Sequence, residues 1–158
     1  MAIYLQLDKV PGDSTHEKHK DWITIDRLEW GTSRSISTAA GSAANREASE
    51  PQVREVLLTK KMDCSSPKLF VESCTGNQGK AATIHLVMTG SPGETYSEIK
   101  LTNALVSSYV IVSDGGPPVE RITLNFTKVE VKYIPFDDAH RPKSPIVTFY
   151  DLSTTKSG

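Results

Sequence analysis

Apolar and polar residues in the second half of the chain follow a pattern that predicts a long β-hairpin. Two strand-like runs, 96–112 and 119–134, flank the segment 114–118, which reads Asp-Gly-Gly-Pro-Pro and is dense in turn-forming residues. Early in the first run, apolar and polar residues alternate, as in a strand with one buried face. Residues 104–112 are apolar on both parities, which predicts that this part is covered on both faces.

The second run of the hairpin changes its apolar parity near Thr127. Apolar residues lie on one parity before that point and on the other parity after it: Ile122, Leu124 and Phe126, then Val129, Val131 and Tyr133. A change of this kind predicts a bulge, or a strand whose two halves serve different surfaces, as in a closed barrel.

Shorter strands and one helix are predicted around this hairpin. The strand-like segments are 3–7, 22–30, 53–62, 81–89 and 146–152. A helix of about ten residues is predicted to begin at the N-cap Ser66, with Pro67 at its first position, and to stop at Gly76. Cys74 on this helix is predicted to belong to the core. The chain is therefore expected to be mainly β.

Residues 32–51 form an unusually long segment rich in Ser, Ala, Gly and Thr. A compact domain rarely keeps a connection of this length without a use for it, so the segment is either disordered or a binding arm that orders against a partner. We favour the arm. Residues 41–44 lack the Gly-Lys-Ser/Thr ending of a phosphate-binding loop, which disfavours nucleotide binding.

Composition and charge narrow the possible partners. The chain has 158 residues, enough for one domain, placed at residues 1–152, and a polar tail at 153–158 that is expected to fray. With 18 basic and 19 acidic residues the net charge is -1, which disfavours nucleic acid and anionic membranes. No apolar run approaches the roughly 20 residues of a membrane span, and the N-terminus lacks the features of a Sec signal.

Groups that could carry chemistry favour neither a metal site nor a catalytic site, and no cofactor is expected. Asp13, His16 and His19 could be metal ligands, but no apolar residue flanks them to fix their geometry, so a solvated loop is predicted. His85 is predicted to lie on the surface or between subunits rather than to act as a base. Cys64, like Cys74, is expected to be a reduced thiol.

A serine hydrolase is a weaker interpretation. Ser107 and Ser108 are the candidate nucleophiles, but neither lies in a Gly-x-Ser-x-Gly turn, and both fall within a strand-like run. A strand or interface position is therefore preferred for both hydroxyl groups.

Several local phrases, taken in order, resemble one protein family. The phrases are residues 8–14 with His19 and Trp22-Ile23; Trp30-Gly31; Asp63 and Ser66-Pro67-Lys68-Leu69 with Cys74 and Gly76; residues 99–101 and 105–109; and Glu120, Leu124, Phe126, Val129 and Tyr133. With a polar loop after the Trp-Gly pair, the chain resembles the Hcp proteins (haemolysin-coregulated proteins), the tube-forming subunits of bacterial type VI secretion systems.

The resemblance implies a small two-sheet β-barrel with one short α-helix, assembled as a homohexameric ring. It further implies that rings stack into a tube within a contractile sheath, beneath a spike protein, and leave the bacterial cytoplasm carrying effector proteins. Residues 32–51 correspond to the loop that reaches the neighbouring ring, so the ring-stacking candidates are Ser42, Asn45, Arg46, Glu47 and Glu50. A non-catalytic structural and carrier role follows.

The strand pattern by itself also fits a monomeric β-sandwich that acts as an adhesion or ligand-binding module. Its strands would be spaced in a similar way. Only the oligomeric state or the family resemblance separates this alternative from the tube subunit.

Overall fold

The computed structural model describes residues 1–41 and 46–158, and these residues are mainly β with one short helix, as predicted. The elements are β1 (Ala2–Leu7), β2 (Ile23–Ile25), β3 (Arg27–Glu29), β4 (Thr32–Ser33), β5 (Ile36–Ser37), β6 (Glu47–Ala48), β7 (Gln52–Val53), β8 (Val56–Lys61), α1 (Ser66–Thr75), β9 (Lys80–Val87), β10 (Thr95–Val112), β11 (Val119–Asn125), β12 (Lys128–Tyr133), β13 (Ile146–Asp151) and β14 (Lys156–Ser157).

Strand β10 joins the two layers of the fold. Its first part, up to Ala104, pairs with β9 and β12, whereas its second part, from Leu105, pairs with β11. One layer therefore runs β14-β13-β12-β10-β9-β1-β2 and the other runs β10-β11-β8-β3. Asn103 has a φ of 54°, and this left-handed residue lies where the strand passes from one layer to the other. The predicted central hairpin is confirmed.

A second passage between the layers lies at Asp26. Ile25 pairs with β1 in the first layer, and Arg27 pairs with β8 in the second. The Asp26 amide donates to the Thr59 carbonyl at 2.8 Å. Among residues 1–41 and 46–158 the strand pairs do not form a closed barrel. At this edge the chain at Asp26 connects β2, the last strand of the first layer, to β3, the last strand of the second. The fully buried core between the layers includes Leu5, Ile23, Val56, Leu58, Leu69, Ile84, Ile122 and Leu124.

The predicted change of parity near Thr127 coincides with a break between strands. β11 ends at Asn125 in one layer, and β12 begins at Lys128 in the other. Thr127 lies in the connection between these two strands, and its amide donates a hydrogen bond of 3.0 Å to the Thr102 carbonyl on β10. The two halves of this run serve different surfaces.

Helix α1 packs on the sheets through a single narrow face. Leu69 is fully buried, while Phe70 is half-exposed. The N-cap is Ser65 rather than Ser66, which lies inside the helix with a buried side chain. Cys74 is exposed, so its predicted core position is wrong: on this short helix the buried face reaches only Ser66 and Leu69. No helix in the described parts of the chain is both long and apolar enough to cross a membrane.

The C-terminal residues are paired rather than frayed. β14 pairs with β13, and Phe149 and Gly158 exchange two backbone hydrogen bonds of 2.7 and 3.1 Å. The Asp151 carboxylate accepts a hydrogen bond of 2.9 Å from the Ser153 amide, which fixes the turn. Sequence polarity alone misses this ladder because backbone groups form it.

Candidate assembly surfaces

Residues 32–41 and 46–53 belong to a two-stranded arm that extends from the second layer. β4 pairs with β7, and further out β5 pairs with β6, in register Ile36 with Ala48 and Ser37 with Glu47. All described residues from 32 to 52 are exposed, including Ile36. The arm is therefore an extended hairpin that buries almost nothing of itself in this chain.

The base of the arm is held by a tryptophan. Trp30 Nε1 donates to the Arg54 carbonyl at 3.1 Å, and the Arg54 amide donates to the Gly31 carbonyl at 3.0 Å. Of the five predicted stacking candidates, Ser42 and Asn45 lie outside the described residues. Arg46, Glu47 and Glu50 are exposed on the returning side of the arm, and their stacking role stays a prediction.

An apolar groove of about 410 Å³ lies between α1 and the end of β10. It is lined by Met62, Asp63, Ser66, Pro67, Phe70, Tyr109 and Ile111. Phe70 is 54% exposed, and the centroid of its ring lies 6.1 Å from the centroid of the Tyr109 ring. Half-exposed apolar side chains at a groove are typical of a binding surface.

A buried ionic network adjoins this groove and shares Asp63, Ser66 and Tyr109 with its lining. Lys60 and Glu120 face each other across β8 and β11, both with fully buried side chains, and Lys60 Nζ lies 2.6 Å from Glu120 Oε2. Ser66 Oγ donates to the same oxygen at 2.9 Å, and the Tyr109 hydroxyl donates to Oε1. Burial and the Glu120 carboxylate raise the pKa of Tyr109 to about 12. The network fixes the groove because each buried polar group has a partner.

Sequence reasoning missed this network, although a signal for it exists. Lys60 shares the buried parity of Val56 and Leu58 on its strand, and Glu120 shares that of Ile122. Charges of opposite sign on the apolar parity of two strands indicate a buried pair. Their pairing still needs the register, which local pattern does not supply.

A second apolar surface lies at the start of β13. Tyr133 and Ile146 face each other across β12 and β13, and Ile146 is 61% exposed. Val147 points to the opposite face and is also exposed, so this end of the sheet is covered on neither side. We call Tyr133, Ile146 and Val147 the β13 ridge.

The far end of β10 differs from the sequence prediction. Val110, Ile111 and Val112 were expected to be covered on both faces, but each is 45–49% exposed in the single chain. Within residues 1–41 and 46–158, no element covers them on both sides. Val110 and Val112 lie on one face of the strand and Ile111 lies on the other, so this end of β10 leaves apolar side chains exposed on both faces.

The groups considered for chemistry take structural positions. Asp13 accepts a hydrogen bond from the Cys64 amide at 3.2 Å, away from the histidines. His19 is buried rather than solvated, so the solvated-loop prediction is wrong for this residue. The His85 side chain is 17% exposed, which argues against a surface position, while a position between subunits stays a prediction. Their rings stack or bond with groups far away in the sequence. Ser107 Oγ donates to Glu55 Oε2 at 2.7 Å.

Comparison of the sequence with known proteins finds one matching family model and one related protein. A family model described as "Type VI secretion system effector, Hcp" matches residues 4–133. Protein hcp1 of Pseudomonas aeruginosa is 29% identical over 136 residues, which cover 84% of this chain and 83% of that protein.

Solved structures with the same fold include one described as a type six secretion system protein. Its TM-score is 0.91 at 28% identity, with 99% of both chains covered. Hcp1 from Salmonella typhimurium gives a TM-score of 0.76 at 20% identity, covering 99% of this chain and 98% of that one, and shows likeness of fold. With most of its length matched by the family model, this chain belongs to the Hcp family of type VI secretion system tube proteins.

Proposed function

We propose that this chain assembles with copies of itself into a hexameric ring, the building unit of a secretion tube. The observation that carries the proposal is the pair of different apolar surfaces that one chain leaves open. One is the groove beside α1, and the other is the β13 ridge. Both expose apolar side chains above or beside a rigid, fully paired framework.

Two different surfaces favour head-to-tail association. When the groove of one copy takes the ridge of the next, the contact is heterologous, and repeating such a contact gives a ring when the rotation between neighbours closes. Covering the exposed half of Phe70 removes about 100 Å² of apolar surface from water, which contributes about 2.5 kcal/mol. The net charge of -1 opposes close packing only weakly.

The arm would connect one ring to the next. An exposed two-stranded hairpin with paired outer strands can add contacts to a neighbouring surface without refolding. Arg46, Glu47 and Glu50 supply charges for such contacts, and Ser42 and Asn45 remain candidates by position.

The wider role follows from membership of the family. The tube would be made in the cytoplasm and secreted through a contractile sheath behind a spike protein, with effector proteins carried by the ring. The subunit itself would act as structure and carrier, with no catalytic step of its own and no requirement for nucleic acid, cofactor or membrane insertion.

The first experiment measures the mass of the purified chain by light scattering after size exclusion, at several concentrations. We expect a species of six times the 17.3 kDa of one chain. Phe70→Asp should reduce this species to monomer. Val71→Asp is the matched control, because Val71 is 53% exposed on the same helix but does not line the groove. A monomer at every concentration of the wild-type chain would contradict the ring and favour a monomeric binding module.

A mixing experiment tests the head-to-tail geometry. Phe70→Asp blocks the groove and leaves the ridge intact, whereas Ile146→Asp does the reverse. A mixture of the two variants retains one competent contact and should form heterodimers, while each variant alone stays monomeric. Failure of the mixture to associate would contradict groove-to-ridge pairing.

Ring stacking is tested separately by deleting residues 38–50, the outer part of the arm. Rings should persist in solution mass measurements, while tubes seen by electron microscopy at high concentration should disappear. Tubes of normal length from the shortened chain would exclude the arm as the stacking element.

A further inference from the structure

A continuous line of hydrogen bonds through three histidines connects segment 13–22 to strands β9 and β10. His16 Nε2 lies 2.7 Å from the Pro92 carbonyl, and His16 Nδ1 lies 3.0 Å from His19 Nδ1. His19 Nε2 lies 2.9 Å from His85 Nδ1, and His85 Nε2 lies 2.7 Å from Glu98 Oε2. We call these groups the histidine line.

Aromatic packing fixes the middle of the histidine line. The Tyr4 ring stacks on His19 with centroids 4.6 Å apart, and Trp22 meets the same ring edge-on at 4.8 Å. His19 is only 1% exposed. The His19 ring therefore cannot exchange its partners for water without movement of the segment.

Counting protons along the line gives a definite result. The four contacts each need one hydrogen between the two atoms, and both ends of the line, the Pro92 carbonyl and the Glu98 carboxylate, are acceptors. Three neutral imidazoles supply only three such hydrogens, one on each ring. One additional proton is required, so that one ring is an imidazolium with the Glu98 carboxylate as its counter-ion.

Geometry selects the ring that holds this proton. The Lys18 amide points at His16 Nδ1 at 3.3 Å, which makes that nitrogen an acceptor and His16 neutral. Burial lowers the pKa of His19 to about 4, so that ring is neutral as well. With His16 bonded through Nε2–H, His19 must donate through Nδ1–H, and His85 donates from both nitrogens.

The charged groups around His85 agree with this assignment. Glu98 Oε2 is its direct partner on β10. Burial alone would raise the pKa of Glu98, but the hydrogen bond from His85 and the charges of Lys100 and of Lys132 on β12 hold this pKa below its usual value. Thr95 Oγ1 lies 3.5 Å from His85 Nδ1, too far to replace His19.

The outer end of the segment carries a second ionic link. Lys18 Nζ lies 2.6 Å from Glu94 Oε1, and both side chains are about half-exposed. Glu98 Oε1 makes no well-aligned hydrogen bond within the described chain and lies 3.2 Å from Lys100 Nζ and 3.9 Å from Lys132 Nζ. Lys100 and Lys132 balance part of the charge of Glu98. In the described residues neither lysine forms a hydrogen bond with a histidine of the line.

We propose that the histidine line is a proton-dependent latch: one excess proton, held by His85 against Glu98, fastens segment 13–22 to the sheet, and loss of that proton loosens it. Without the proton, one of the four contacts brings two lone pairs together at under 3.1 Å, which is repulsive. The segment then keeps its ion pair between Lys18 and Glu94 but loses the buried hydrogen-bonded connection through the histidine line.

Nitrogen NMR of ¹⁵N-histidine-labelled protein in the solid state tests the proton count directly at about pH 6.5. The chain has only 4 histidines, and exposed His140 serves as a reference. Single His→Gln variants assign the signals. We expect both nitrogens of His85 to be protonated and His16 and His19 each to show one bare nitrogen. A bare nitrogen on His85 would overturn the proposal.

Hydrogen exchange tests the latch. The amides of Asp21 and Trp22, which bond to Ser14 and His19 carbonyls, report closure of the segment. Their protection factors should fall about tenfold or more as the pH rises from about 6 to about 9. Glu98→Gln supplies an amide donor to His85, so three neutral rings complete the line and the fall should disappear.

Glu94→Gln is the matched control for this exchange experiment, because it removes the outer ionic link without changing the proton count. Its protection factors should be lower overall but keep the dependence on pH. The same pH dependence in Glu98→Gln as in the wild type would overturn the latch.

Discussion

Replacing Lys60 by Met should strongly destabilise the fold. Lys60 Nζ contacts Glu120 Oε2 at 2.6 Å, Asp63 Oδ1 at 2.8 Å and Ser66 Oγ at 3.3 Å, and its side chain is fully buried. The methionine fills a similar volume, so the change removes charge and hydrogen bonds with little cavity.

The magnitude follows from what remains around Glu120. In the described chain its carboxylate makes no other salt bridge, and only the Ser66 and Tyr109 hydroxyls still donate to it. Removing one partner of a buried pair costs about 3–5 kcal/mol, and two surviving donors place the loss near about 3 kcal/mol. With a urea dependence of about 2 kcal/mol/M, the unfolding midpoint should fall by about 1.5 M.

Urea unfolding followed by tryptophan fluorescence measures this shift, at one fixed protein concentration because assembly adds stability. Lys61→Met is the control, since Lys61 is the exposed neighbour on the same strand. The double variant Lys60→Met/Glu120→Leu should recover at least about 1 kcal/mol, because no unpaired buried charge remains. A loss below about 1 kcal/mol for Lys60→Met would refute the reasoning.

Three further outcomes are expected. Acid should lower the free energy of unfolding by about 2.5 kcal/mol between pH 6.5 and about pH 4, because His19 binds a proton in the unfolded chain but stays neutral where it is buried in the fold; His19→Gln should reduce this pH dependence in urea titrations. Gly12→Ala should lower the melting temperature measured by calorimetry, because the new Cβ would lie 2.5 Å from a backbone carbonyl of the facing segment. Cys64 should alkylate more slowly than Cys74 at about pH 8, because its hydrogen bond to Asp13 raises the pKa of Cys64 to about 11. Asp13→Asn should speed alkylation of Cys64; a Cys64 rate unchanged from that of the wild type would contradict this.

Local pattern predicted those parts of the fold that local geometry controls. The alternation early in the run 96–112, the turn formers at 114–118 and the parity change at Thr127 each mark a feature that the structure contains. The Ser-Pro pair placed the start of α1 within one residue. The position of the arm also follows from composition, because a long polar segment has few large apolar side chains to bury in the core.

Burial of individual side chains was less predictable. Cys74 was expected inside and is exposed, whereas His19 was expected in solvent and is buried. Both errors arise because the exposure of a residue on a short element depends on which distant element packs there. The apolar end of β10 shows the same limit at the scale of the assembly, since one chain leaves it uncovered.

By itself, then, the sequence determined the mainly β class, the central hairpin, the site of the arm and the resemblance to the Hcp family, because strand periodicity and turn chemistry act over a few neighbouring residues. Only the tertiary structure decided that Lys60 meets Glu120 and that His19 meets His85. Those partners lie 60 and 66 positions apart, and the register that joins them depends on the packing of both layers at once.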